Sequence, residues 1–158
     1  GVVRIVDIRV SGRGRPTQFY GLTIEMDRNN LDTLAKVILK EWLTDLPGEK
    51  KEPALKRIAT DLLLNFSTPE GNLTQRLTHA VRQLNDMNYQ ARWEAHMNSP
   101  RILVTHCPYA SLSKEYPDVC RVDELLIGKL IGLPIELRSR LGVNGCGEMQ
   151  CIFRLGSV

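Results

Sequence analysis

Along the first twenty residues the chain reads as two strands. Val2-Val3-Arg4-Ile5-Val6-Asp7-Ile8-Arg9-Val10 comes to alternate apolar and charged positions, Ser11 to Pro16 is a Gly/Arg turn, and Thr17 to Thr23 can return as a partner. From Asn30 the period lengthens. Leu31, Leu34, Ile38, Trp42 and Leu46 recur at helical spacing, with Asn30 as a candidate N-cap and Pro47-Gly48 as a stop. Pro53 near its start, then Leu55, Ile58, Leu62 and Phe66, predicts a second helix. Asn72 with Gln75 three residues on forms a capping-box pattern ahead of a third helix, whose apolar face is Leu73, Leu77, Ala80, Val81, Leu84 and Met87.

The period then drops to two. Tyr89, Ala91, Trp93, Ala95 and Met97 alternate with polar residues, Asn98-Ser99-Pro100 turns the chain, and Arg101 to His106 reads as an antiparallel partner running into Cys107-Pro108. A short helix from about Ser111 meets Pro117. Asp118 can cap a further helix carrying Val119, Val122, Leu125, Leu126 and Leu130, closed by Gly132. Two more alternating runs, Ile135 to Leu141 and Met149 to Leu155, flank the Asn144-Gly145-Cys146-Gly147 turn. The expected fold class is α+β: a hairpin over residues 1–28, a helical region over 29–88, and over 89–158 a ββαββ unit, a four-stranded antiparallel sheet with a helix on one face. There is no internal repeat.

The length of 158 residues suits one globular chain able to bury a core without disulfides, and 42% hydrophobic with 25% charged residues excludes disorder. No run approaches the ~20 apolar residues of a membrane span, and a secretory signal pattern is lacking, so the expectation is a cytoplasmic protein with no membrane partner. In that compartment four cysteines suit metal ligation, redox chemistry or core packing better than disulfides. The formal charge of +3 is localised: Arg4, Arg9, Arg13 and Arg15 face the single Asp7 in the first twenty residues, and the rest of the chain is neutral.

Two groups of residues carry chemistry. Arg13, Gly14 and Arg15 sit on the hairpin tip, where glycine lets backbone approach a duplex and guanidinium groups suit phosphates or a narrow minor groove. Cys107 at a strand end, Cys120 in the first turn of a helix and Cys151 on the inward face of the last strand can meet at one end of a sheet. Three such thiols suit a soft metal or an iron-sulfur cluster. The helix N-terminus beside Cys120 is expected to lower its thiol pKa. His106 is a possible extra ligand, and so is Cys146 in its Gly-rich turn. No catalytic triad, P-loop or nucleotide fingerprint appears, and the expectation is a non-enzyme.

His106-Cys107-Pro108-Tyr109, Tyr116-Pro117-Asp118-Val119-Cys120 and Cys151-Ile152-Phe153-Arg154-Leu155 resemble the sensor half of winged-helix transcriptional regulators that include the iron-sulfur-sensing repressors of the suf operon. Gly12-Arg13-Gly14-Arg15-Pro16 with Tyr20 to Thr23 resembles the wing of the same family's DNA-binding domain. The resemblance implies residues 1–28 as the wing of a truncated winged helix, with its recognition helix upstream of Gly1. Residues 29–88 become the linker and dimerisation region, and 89–158 the sensor. It further implies a homodimer bound to double-stranded DNA and a [4Fe-4S] or related cluster on Cys107, Cys120 and Cys151, with a fourth ligand undetermined. Cys146 departs from the family pattern, and the matching strand around Cys151 favours Cys151 as the third ligand. Two other readings follow from the same residues. One is a regulator with a structural zinc, Cys146 as fourth ligand, and a pocket between sheet and helix that senses an apolar molecule. The other is a thiol-dependent enzyme using Cys107 with His106.

Overall fold

The computed structural model describes residues 3–9, 17–22, 30–67, 70–140 and 150–156, the first two segments as backbone. The chain divides into two compact units, residues 1–38 and 39–158. In the first, β1 (Val3–Arg9) and β2 (Thr17–Leu22) pair antiparallel, with an irregularity between Ile5 and Asp7. The hairpin expected from alternation is therefore present. Its tip, with Arg13, Gly14 and Arg15, lies outside the described residues.

Helix α1 (Leu31–Asp45) begins where the period changes. Its first apolar positions do not join a core: Leu31, Leu34 and Ile38 are each more than half exposed, as is Val37. Only from residue 39 onward does the helix contribute to the second unit, with Trp42 packed against the core.

The break between the helices is just two residues, Leu46 and Pro47. Helix α2 (Gly48–Asp61) starts at once and runs through Pro53, earlier than the proline suggested. Glu49 to Glu52 are good helix formers. The carbonyl that Pro53 cannot serve belongs to exposed Glu49, where water can reach it. Helix α3 (Leu73–Asp86) has the predicted capping box: the Gln75 amide N–H donates to Asn72 Oδ1 at 3.0 Å, and the Asn72 N–H donates to Gln75 Oε1 at 2.9 Å.

Four strands follow, β3 (Ala91–Glu94), β4 (Arg101–Val104), β5 (Ile135–Ser139) and β6 (Cys151–Leu155), forming one antiparallel sheet in the order β3-β4-β6-β5. The first is shorter than its alternation implied. β4 supplies only four partner residues, from Ala91↔Val104 to Glu94↔Arg101, and beyond them Met97 is 97% exposed. Between β4 and β5 lie the short α4 (Ala110–Ser113) and α5 (Asp118–Ile131). α5 ends as predicted, with Gly132 at φ 73°, its N–H and that of Leu133 both donating to the Gly128 carbonyl. Its start differs: Pro117 occupies the N-cap with no side-chain cap, and Asp118 pairs instead with Lys51 of α2 at 2.9 Å.

The core lies between the sheet and the helices. Phe153, Ile102 and Val104 from the strands meet Leu126, Ile127, Leu130 and Ile131 from α5, Leu77 and Leu84 from α3, and Leu55 from α2. Arg121 secures the outer side of α5, donating to Glu52 on α2 and to Glu124, whose other oxygen accepts the Leu137 N–H of β5. Among the described residues no helix is long and apolar enough to cross a membrane.

These contacts give a graded expectation for unfolding. Phe153→Ala empties a site at the centre of the sheet and is expected to lower stability by about 3–5 kcal/mol, whereas Asn72→Ala removes one cap and should cost about 1 kcal/mol. Urea unfolding of the two variants beside the parent protein reads the order directly.

Candidate functional site

The end of the sheet where β4 finishes and β6 begins is set by one pairing, Val104↔Cys151. Three residues past Val104 the chain reaches Cys107 and folds back on itself: the Tyr109 N–H donates to Cys107 Sγ at 3.4 Å, and the Ala110 N–H donates to the Cys107 carbonyl. Helix α5 lays its first turns against this end. Cys120 and Asp123, one turn apart, share its inward face with Ile127 and Leu130, and both are buried.

Asp123 organises the group. Its Oδ1 accepts a 2.6 Å hydrogen bond from the Tyr89 hydroxyl, and its Oδ2 accepts the Cys107 S–H at 3.6 Å. Tyr89 in turn meets Tyr109 edge to face, with ring centroids 6.1 Å apart and planes at 84°. A carboxylate, a thiol and two phenol rings thus form one connected, largely buried cluster fed by the β3 approach, the turn after β4, and α5.

Burial governs the proton affinities here. It lifts the Asp123 carboxyl to about 6, although the Tyr89 and Cys107 hydrogen bonds pull the other way. The Cys107 thiol is pushed well above its ordinary value, first by burial and then by the Asp123 charge, with a smaller push from Cys151. Tyr89 and Tyr109 are raised by the same two causes. Cys120 is raised too. The helix N-terminus was expected to lower it, but desolvation outweighs the opposing pull of Arg140 and of a hydrogen bond from Ser113.

The three cysteines expected as ligands are therefore all buried, Cys107 in the turn after β4, Cys120 in α5 and Cys151 in β6. Cys107 and Cys120 both feel Asp123, and Cys107 feels Cys151. The donor set, soft thiols beside one carboxylate, fits an iron-sulfur cluster or zinc in kind. Among the described residues, however, no three His, Cys, Asp or Glu side chains are arranged to hold a metal ion. Cys146 lies outside the described residues. His106 stands apart from the cluster, exposed, with its ring Nδ1 2.8 Å from the Asn88 carbonyl oxygen.

Sequence reasoning missed Asp123, Tyr89 and Tyr109 as members of the site. A signal was present for the first. Asp123 falls three residues after Cys120 and four before Ile127, in phase with the buried stripe of α5, and an acid at such a position needs a partner inside.

The raised Asp123 value sets a pH dependence. The folded carboxyl is less acidic than the ordinary 3.8, so the stabilisation is complete below about pH 4 and is lost as pH rises through about 6. Between those two limits the loss amounts to about 3 kcal/mol. Unfolding free energies measured across pH 4 to 7 should fall in the parent relative to Asp123→Asn, and a constant difference between the two proteins would remove this account of the site.

No protein-family model matches this chain, and no curated protein matches it, so any function assigned to the cluster rests on its residues and their geometry.

Proposed function

We propose that this chain belongs to a dimeric, cytoplasmic, DNA-binding transcriptional regulator of the winged-helix kind, whose α+β unit carries an iron-sulfur cluster on Cys107, Cys120 and Cys151. The observation that carries the reading is that three thiols far apart in sequence are all buried, with Cys107 hydrogen-bonded to Asp123 and electrostatically coupled to Cys151, and Cys120 coupled to the same Asp123. The Cys-Pro-Tyr, Pro-Asp-Val-Cys and Cys-Ile-Phe-Arg-Leu resemblances support it, as does the antiparallel β1-β2 pair whose strands flank Arg13, Gly14 and Arg15 in the sequence. The exposed Leu31, Leu34 and Ile38 stripe of α1 supports pairing of two copies through the helical region.

In this reading Cys107, Cys120 and Cys151 are the holding residues. A bound cluster supplies one-electron redox capacity and a concentrated charge. Ligation requires thiolates, and Asp123 Oδ2, which already accepts the Cys107 S–H, is the group placed to take that proton. Binding can alter DNA affinity only by favouring one of two arrangements of the protein, and residues 29–88 connect the sensor to the wing. Arg13 and Arg15 contribute phosphate contacts that do not depend on base sequence.

Anaerobic reconstitution with iron and sulfide is expected to give visible absorption and bound iron that Cys107→Ser, Cys120→Ser and Cys151→Ser each abolish. A folded protein that takes up no iron ends the cluster assignment, and zinc in the purified protein replaces it with the structural-zinc reading. For the wing, Arg13→Ala with Arg15→Ala should weaken binding to duplex DNA and flatten its logarithmic salt dependence by about 2. An unchanged slope overturns the wing.

A further inference from the structure

The second unit contains a space that the cysteine cluster does not use. Residues 39–43 of α1, α2, α4 and the start of α5 line a partly open apolar pocket of about 200 Å³, chiefly through Trp42, Leu55, Ile58, Leu62, Tyr109 and Val122. It is large enough for a small organic ring, since an engineered apolar cavity of about 150 Å³ takes benzene. Water gains little by entering, because the walls offer it no polar surface. The acidic side chain at the rim, Asp118, is already engaged by Lys51 at 2.9 Å.

We propose that this cavity is a binding site for a small, neutral, apolar molecule of single-ring size, and that Tyr109 links its occupancy to the Cys107–Asp123 cluster. The chemical class follows from the walls. A charged ligand would lose hydration against these walls with nothing to replace it, and a larger one would leave much of its surface outside the pocket. The link follows from the two sides of Tyr109. It lines the cavity, while its N–H donates to Cys107 Sγ and its ring rests edge-on against Tyr89, whose hydroxyl holds Asp123. A ligand packed against Tyr109 restrains the residue that shapes the turn around Cys107. The cavity lies among helices rather than between sheet and helix, and its walls include no cysteine and no metal donor other than the engaged Asp118. It therefore stands or falls separately from the cluster.

The test uses bromobenzene with a protein carrying Trp93→Phe, which leaves Trp42 as the sole indole. The heavy atom is expected to quench Trp42 fluorescence saturably, to raise the unfolding midpoint by about 8 °C at a hundredfold excess over the dissociation constant, and to slow amide exchange at Tyr109. Ile58→Phe, with Leu62→Phe as a second filling variant, should stay folded and lose all three responses. Quenching that rises linearly without saturation, or is equally strong in a folded filled variant, overturns the site. Saturable binding that leaves Tyr109 exchange unchanged overturns the link.

Discussion

A carboxylate inside a protein is the constraint around which this α+β unit is arranged. Asp123 is 4% exposed, and a buried charge without partners would cost more than most single contacts can return. The fold answers with two donors from the same end of the paired strands β3 and β4. Tyr89 reaches it from the residues leading into β3, and Cys107 from the turn after β4. Meeting both at once determines how α5 lies along the sheet, because Asp123 must sit over the strand ends rather than over their middles. The apolar contacts of Leu126, Ile127 and Leu130 with Phe153 and Ile102 supply most of the burial. They are tolerant of small slides along the helix axis, whereas the hydrogen bonds are not.

Much of this architecture could be read from pattern. The Asn72-Gln75 capping box, the Gly132 stop, the two alternating C-terminal runs and the terminal hairpin all appear where local chemistry predicts them, because each depends on residues within one turn or one strand. The failures have a common physical origin in distant partners. Asp118 looked like a cap, but Lys51 from α2 claims its carboxylate. The run from Tyr89 to Met97 alternates faultlessly, yet pairing stops at Glu94 because β4 is four residues long. Leu31, Leu34 and Ile38 keep helical phase with Trp42 and still face solvent.

The site was legible in part. Cys107, Cys120 and Cys151 stood out in the sequence, and all three are buried. Their surroundings were not legible, since an Asp in a helix and a Tyr before a strand acquire meaning only when the chain brings them within 2.6 Å of each other. The same limit explains the mistaken direction for Cys120. A helix N-terminus is visible in sequence, whereas the desolvation that outweighs it is a property of the packed interior.

That balance bears on how the thiols could serve the proposed role. Burial keeps Cys107 and Cys120 in the protonated form, so neither is a standing nucleophile, and a ligand that demands thiolates must overcome the same desolvation that now holds the protons on. A cation or a cluster can do so where a lone thiolate cannot, because its own charge replaces the water each sulfur has lost. Asp123 works in both conditions: it accepts the Cys107 hydrogen while the thiol is neutral, and it can receive a proton when the thiol gives one up. The buried acid thereby makes two protonation patterns of similar packing accessible at one end of the sheet. Such a pair of states is what any effector acting at this end would have to choose between.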